Sequence, residues 1–104
     1  REDSAPVRAR VNAARSVQQA RYAGTEISCN AYMTPAMLAQ YCALDDAGER
    51  LMKNAFSKMG LTARSHDRIL RVARTIADLD GSESIESFHL AEAIQYRNTD
   101  ILKG

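Results

Sequence analysis

Apolar residues recur at three- and four-residue spacing along most of this chain, and no stretch alternates between apolar and polar residues as a half-buried strand does. The clearest helical pattern covers residues 62–79. One side of that helix is apolar and comprises Ile69, Val72, Ala73 and Ile76. The opposite side is basic and comprises Arg64, Arg68 and Arg71. The pattern predicts an all-α domain with a basic helix face.

Capping and turn residues divide the chain into a bundle of about five helices. The first is capped by Ser4 and runs to about Tyr22, the second follows Thr34, the third spans Asp46 to Met59, the fourth follows Thr62 and ends near Leu79, and the last is capped by Ser87. The apolar side of the first helix is thin, so we expect packing at an edge through Val7, Val11, Ala14 and Val17. Residues 23–33 should form an ordered connection that covers Ile27, Tyr32 and Met33.

Charge is unevenly distributed although the net charge is only +1. Arginine supplies eleven of the fourteen basic residues, and residues 7–22 hold four arginines with no acid: Arg8, Arg10, Arg15 and Arg21. Arg8, Arg15 and Arg21 are candidates for contacts with nucleic-acid phosphates. The residues alone favour a solubilising surface over nucleic-acid contact, because aromatic residues that would stack on bases are absent there apart from Tyr22.

Several function classes are not indicated by this sequence. It has no GxxxxGK[ST] phosphate loop and no local signature of a nucleophilic triad, so the chain should be inactive as an enzyme by itself. Two cysteines without metal-ligand spacing to His66 or His89 predict no metal site, and His89 is expected to be exposed without a partner. No apolar run approaches the roughly 20 residues of a membrane span. We therefore expect a cytoplasmic domain with no membrane partner.

Arg64 is the sharpest candidate for chemistry. It follows a predicted helix start at Thr62, so its guanidinium would lie in the first turn, where the helix dipole favours an anion such as phosphate. The alternative is a surface salt bridge with Asp67 or Asp78, which spacing alone favours. Arg68 and Arg71 continue the same face and could support phosphate binding or line an intersubunit contact, although a charge run on a helix is usually its solvated side.

Specific segments resemble a known family over nearly the whole chain. They are RVNAARSVQQARY at residues 10–22, the pair Asn30-Ala31, Cys42 with Leu44, LTARSHDRILRVARTIADL at residues 61–79, Gly81, Ile85 and HLAEAIQYR at residues 89–97. Together they resemble the C-terminal domain of the magnesium-chelatase-like AAA+ ATPases, in particular the ComM/YifB group. The ARTIADL segment is the most specific part of this resemblance.

The resemblance implies that residues 1–104 form one helical lid domain, with residues 1–5 and 102–104 frayed. It places a nucleotide-binding core with Walker motifs upstream in the same polypeptide, ATP and Mg²⁺ in the full-length protein, and a homo-oligomeric, hexameric ring that remodels DNA as a helicase or branch-migration motor. Thr62-Ala63-Arg64 matches the turn that carries the sensor 2 arginine, which makes Arg64 the catalytic and nucleotide-binding candidate, supported by Arg68. The alternative is an autonomous helical module that binds DNA or protein through the basic first helix.

Overall fold

The structure, a computed structural model, describes the backbone of residues 5–103 and the side chains of residues 5–96. It contains α1 (Ala5–Arg21), a 3-10 turn (Asn30–Tyr32), α2 (Pro35–Tyr41), α3 (Asp46–Met59), α4 (Ala63–Leu79) and α5 (Ser87–Lys103). The predicted all-α class is confirmed. Of the termini expected to fray, residues 1–4 and 104 lie outside the described residues, as does the predicted cap Ser4, whereas residues 5, 102 and 103 are helical.

Local capping explains where the inner helices begin and end. The hydroxyl of Thr34 accepts a hydrogen bond from the Met37 amide at 3.2 Å, and Thr62 caps α4 in the same way through the Ser65 amide. The Asp45 carboxylate accepts from the Gly48 amide at 2.8 Å at the start of α3. Gly60 ends that helix with φ of 62°, a left-handed conformation that glycine adopts without strain. These boundaries agree with the sequence prediction.

Helix α4 is the central element of the bundle. It packs against α1, the 3-10 turn, α2 and α5, while α3 packs against α5. Its buried apolar residues are Ile69, Leu70, Ala73 and Ala77, and α5 contributes Leu90, Ala93 and Ile94. Ile85 fills the connection between these two helices and lies beside Leu44 in an isolated parallel bridge, the one strand-like pairing within residues 5–103.

The buried side of α4 differs from the predicted one. Val72 and Ile76, expected in the core, are only half-buried, while Leu70 and Ala77 are buried. The reason is that α4 is covered on several sides rather than one, so its buried surface extends around the helix to Arg74 and Asp78. The apolar side predicted for a helix that packs on one neighbour therefore covers only one edge of the surface that α4 buries.

Two other expectations about burial were wrong. Only Ala14 of α1 is buried among the described residues of that helix, and Val7, Val11 and Val17 are exposed, so α1 packs at an edge through a smaller contact than predicted. In the ordered connection, Met33 is buried and Ile27 is half-buried, but Tyr32 is 67% exposed.

No helix within the described part of the chain is long and apolar enough to cross a membrane.

Candidate functional site

Arg64 lies in the first turn of α4, directly after the Thr62 cap and Ala63. The residue is exposed, and the first turn of α4 holds no acid. Because the first amide groups of a helix point outward from its N-terminus, they add a fixed positive field to the guanidinium. This end of α4 therefore presents a fixed positive charge to solvent.

Neither of the two salt bridges considered for Arg64 is formed. Asp67 lies 3.3 Å from Nδ1 of its neighbour His66, and Asp78 is buried at the other end of α4. Among residues 5–96, whose side chains are described, no ion pair or side-chain hydrogen bond involves Arg64. Its guanidinium is consequently available to an anion that approaches the start of α4.

The basic face of α4 is shorter than the sequence pattern predicted. Arg68 is exposed one turn after Arg64, but Arg71 turns toward the body of the domain, where its Nη2 donates to the carbonyl of Met33 at 2.9 Å. The Arg71 Nε is buried and has no hydrogen-bond partner among the described residues. Arg71 thus ties α4 to the connection before α2, and only Arg64 and Arg68 remain on the exposed basic face.

A buried ion pair joins the opposite half of α4 to α1. Arg21 binds Asp78 at two points, with Nη2 to Oδ1 at 2.8 Å and Nη1 to Oδ2 at 2.9 Å. Arg74 donates its Nε to Asp78 Oδ1 at 3.1 Å. The side chain of Asp78 is fully buried, whereas 10% of the Arg21 side chain is accessible. A planar fork on a carboxylate is a directional contact, so it sets the orientation of α1 on α4.

Asn30 and the backbone complete this network. The side-chain Nδ2 of Asn30 donates to Asp78 Oδ2 at 2.9 Å and to Thr75 Oγ1 at 3.0 Å. Its Oδ1 accepts from the Tyr22 hydroxyl at 2.6 Å. Arg74 also donates to the carbonyls of Tyr41, Ser82 and Glu83. The network therefore joins α1, the 3-10 turn, the end of α2 and the connection after α4 to a single carboxylate.

The charge of Asp78 is stabilised in spite of its burial. Burial alone raises the pKa of this carboxyl group, but hydrogen bonds from Arg21 and Asn30, together with the positive charge of Arg74, more than offset it, so the pKa lies below the ordinary value of 3.8. The hydrogen bond with Asp78 raises the pKa of Arg21 in turn. Both groups are ionised in the folded domain, which makes this a buried ion pair.

The arginines of α1 fall into two groups. Arg8, Arg10 and Arg15 are exposed, and α1 contains no acid, so the expected basic surface exists. Arg21 does not belong to it, because its guanidinium is held by Asp78 and Asn30. Of the three candidates for nucleic-acid contact, Arg8 and Arg15 are therefore available, and Arg21 has a structural position.

His89 was expected to be exposed without a partner, and this was wrong. It is 1% exposed; its Nδ1 accepts from the Glu86 amide at 2.9 Å, and its Nε2 lies 2.9 Å from an Asp80 carboxylate oxygen. The acceptor role of Nδ1 places the proton on Nε2, which then donates to Asp80. In a capping box the side chain of a glutamate accepts a hydrogen bond from the amide of the cap residue, and His89 has that role at the start of α5. The helix begins at Ser87, which the sequence had predicted to be its cap.

Sequence reasoning missed the buried network because its members lie far apart in the chain. Arg74 and Asp78 carry a visible signal, namely opposite charges four residues apart on one helix face. Asn30 and Arg21 carry no comparable local signal, although both fall in the segments that resemble the family. Within the described residues, no group of three or more His, Cys, Asp or Glu side chains is arranged to hold a metal ion.

A family model and two relatives each match nearly the full length of this chain. Residues 1–97 match the family described as magnesium chelatase, subunit ChlI C-terminal. The chain is 43% identical to the competence protein ComM of Haemophilus influenzae over 96 residues, which cover 92% of this chain and 18% of ComM. It is 39% identical to YifB of Escherichia coli over 101 residues, covering 97% of this chain and 19% of YifB. The chain thus spans less than a fifth of the length of these relatives.

Proposed function

This chain belongs to the magnesium chelatase ChlI C-terminal family, and from that premise we propose that it is the helical lid of an AAA+ ATPase in which Arg64 contacts the terminal phosphate of ATP. The observation that carries the proposal is the exposed guanidinium of Arg64 at the positive end of a capped helix, with no ion-pair partner among residues 5–96. Arginine suits this contact because its planar donors match phosphate oxygens and its charge persists at any physiological pH.

The rigid attachment of α4 supports a role in sensing nucleotide. The distal half of α4 is fixed to α1 and α2 through Asp78 and Arg74, so a force on Arg64 is transmitted to the whole domain. Loss of the terminal phosphate after hydrolysis would release Arg64 and allow the lid to rotate as one body. The contact can be made within one subunit or across a subunit boundary of a ring.

In this proposal the domain supplies one phosphate-binding group, and the other groups that bind ATP and Mg²⁺ belong to the rest of the polypeptide. Within the described residues there is no acidic cluster suited to Mg²⁺. The Walker residues that bind ATP and Mg²⁺ would therefore belong to an upstream core, which is consistent with the greater length of ComM and YifB. Arg68 would strengthen the field at the phosphate from the next turn.

Steady-state ATPase measurements on the full-length protein test this proposal. Replacement of Arg64 by Ala should lower kcat by roughly 100-fold, the usual cost of removing one preorganised group that stabilises developing charge. Arg50→Ala is the matched control, because Arg50 is also an exposed arginine and lies on α3. Equal activity of the Arg64→Ala and Arg50→Ala proteins would overturn the proposal.

The basic surface of α1 supports a second proposed role, contact with DNA that the motor remodels. Arg8, Arg10 and Arg15 are exposed on a helix without acids, and phosphate contacts need only spaced positive groups. Titration of the full-length protein with duplex DNA at two salt concentrations tests it, with the double variant Arg8→Ala, Arg15→Ala expected to show weaker binding and a shallower salt slope. Unchanged affinity and slope would remove this role. Tight, salt-sensitive binding by residues 1–104 alone would instead favour an autonomous binding module.

A further inference from the structure

A surface hollow of about 410 Å³ lies beside the buried network, between α1, the end of α2 and the connection that follows α4. The residues that line it include Val17, Arg21, Tyr41, Arg74, Asp78 and Glu83. Small-molecule sites in proteins commonly measure about 300 to 1,000 Å³. The proposed nucleotide contact does not use this hollow, because Arg64 lies at the opposite end of α4.

One edge of the Arg21 guanidinium has no partner among the described residues. The group has five N–H donors. Nη1 donates to Asn30 Oδ1 and Asp78 Oδ2, and Nη2 donates once, to Asp78 Oδ1. Nε and the second N–H of Nη2 remain, and Nε is accessible, because the one buried side-chain nitrogen without a partner in residues 5–96 is Arg71 Nε. These two parallel N–H groups form a second planar fork that fits a carboxylate.

The fork of Arg21 is held in place before any ligand binds. Hydrogen bonds with Asp78 and Asn30 fix the plane of the guanidinium. The Arg21 Cζ also lies 5.7 Å from the ring centroid of Tyr41 and 5.8 Å from that of Tyr22. A side chain that is already ordered loses little conformational entropy when it binds. Arg21 can therefore bind an anion at a lower entropic cost than a mobile surface arginine.

The floor of the hollow carries one excess positive charge. Arg21 and Arg74 share the single carboxylate of Asp78. Arg74 contributes charge but no free donor, because its guanidinium is bound to Asp78 and to three backbone carbonyls. Among the lining residues, the remaining charge belongs to Glu83, which is exposed and more strongly screened by water. The buried part of the site thus lacks one negative charge.

We propose that this hollow binds a small organic monocarboxylate, whose two oxygens accept hydrogen bonds from Nε and Nη2 of Arg21. One negative charge on the ligand neutralises the excess charge on the floor. A phosphate monoester carries about −1.5 to −2 at neutral pH and would leave excess negative charge beside Glu83, so a carboxylate fits better. Val17 and the ring of Tyr41 line the same hollow and provide apolar surface for the organic part of the ligand.

Ligand-observed fluorine NMR on the full-length protein tests the proposal. The probe is para-fluorophenylacetate, a monocarboxylate with an aromatic ring, and para-fluorophenylacetamide is its uncharged control. We expect the protein to broaden the fluorine signal of the acid at neutral pH and to leave that of the amide unchanged. No broadening of the acid signal, or equal broadening of both signals, would overturn the proposal.

Val17→Glu and Val17→Gln form a matched pair of variants that leaves the buried Arg21–Asp78 pair in place. Position 17 is 45% exposed and lies four residues before Arg21 on α1, so a carboxylate there can occupy the free fork as an (i, i+4) ion pair. The amide variant has the same shape and no charge. We expect Val17→Glu to bind the acid roughly 10-fold more weakly than Val17→Gln. Equal affinities would place the acid elsewhere and overturn the proposal.

Glu83→Gln tests the charge of the site in the opposite direction. It removes the exposed negative charge beside the hollow and keeps the backbone carbonyl that Arg74 binds. Binding of para-fluorophenylacetate should become about two- to five-fold tighter, the range expected for one exposed charge. Unchanged or weaker binding would contradict an electrostatic site at Arg21. None of these variants alters Arg64, so the result is independent of the ATPase test.

Discussion

Arg21 and Asp78, 57 residues apart in the chain, form a buried ion pair with two parallel hydrogen bonds of 2.8 and 2.9 Å. The pair connects the end of α1 to the distal half of α4, and Arg74 and Asn30 bind the same carboxylate. Arg64 lies at the opposite end of α4. One carboxylate therefore joins the distal half of the helix that carries Arg64 to α1 and the 3-10 turn, beside the apolar packing of α4 on α5.

Replacing Asp78 by Asn should destabilise the domain by about 3 to 5 kcal/mol, because two buried guanidinium groups lose their counter-ion. Urea denaturation followed by circular dichroism measures the change. Asp67→Asn is the control, since the Asp67 side chain is 39% exposed and pairs with His66 at the surface, so its loss should cost less than about 1 kcal/mol. Equal midpoints for the two variants would mean that the buried pair does not hold α1 on α4.

The lowered pKa of Asp78 makes stability depend on pH in a defined direction. In the unfolded chain this carboxyl group titrates near its ordinary value of 3.8, and in the folded domain it titrates lower. Its contribution is therefore complete above that value and is lost as the pH falls through the folded-state pKa. Denaturation midpoints measured from neutral pH down to acid should fall more steeply for the wild type than for Asp78→Asn. An equal fall of the midpoint with pH in the wild type and in Asp78→Asn would contradict a lowered pKa of Asp78.

Two positions on the predicted apolar side of α4 can be compared by truncation. Ile69 is 1% exposed, so Ile69→Ala should cost about 2 to 5 kcal/mol through lost burial and a cavity. Ile76, which the sequence pattern placed in the core, is half-buried, and Ile76→Ala should cost clearly less. Thermal or chemical denaturation of both variants measures the difference. A larger loss of stability at Ile76 than at Ile69 would contradict the half-buried position of Ile76.

His89 provides a test of the cap at the start of α5. His89→Ala removes the acceptor for the Glu86 amide and the contact with Asp80, and it should destabilise the domain by about 1 to 3 kcal/mol. His89→Gln retains an acceptor that can reach the same amide, as in an ordinary capping box, and should recover part of that loss. Hydrogen exchange of the first α5 amides reports on the cap itself. Exchange of these amides in His89→Ala at the wild-type rate would show that the imidazole has no capping role.

The sequence predicted the features that depend on neighbouring residues. Thr34, Thr62 and Gly60 act within a few residues of themselves, so the helix bounds and the position of Arg64 in a first turn followed from the pattern. The sides that helices bury depend on all their neighbours at once, and those neighbours are known only when the chain is folded. For this reason the core face of α4 was placed too far to one side.

In the candidate site too, features set by neighbouring residues were predicted and features set by distant residues were not. The exposure of Arg64 agrees with its position after a cap, whereas Arg21 looked like another member of a basic run until its partner, Asp78, was located across the fold. Arg71 was misplaced for a similar reason, because the Met33 carbonyl that it binds belongs to a different element. A run of like charges thus gives no indication of which members are held by distant partners.

Nucleotide affinity tests the role of Arg64 most directly, because a contact with the terminal phosphate exists for ATP and not for ADP. Binding of a non-hydrolysable ATP analogue and of ADP should be measured for the full-length wild type and for Arg64→Ala. A charge-assisted hydrogen bond of about 1.5 to 3 kcal/mol corresponds to a loss of roughly 10- to 150-fold in affinity. We expect that loss for the ATP analogue and no change for ADP. Equal affinities of the two proteins for the ATP analogue, or an equal loss for both nucleotides, would contradict a contact between Arg64 and the terminal phosphate.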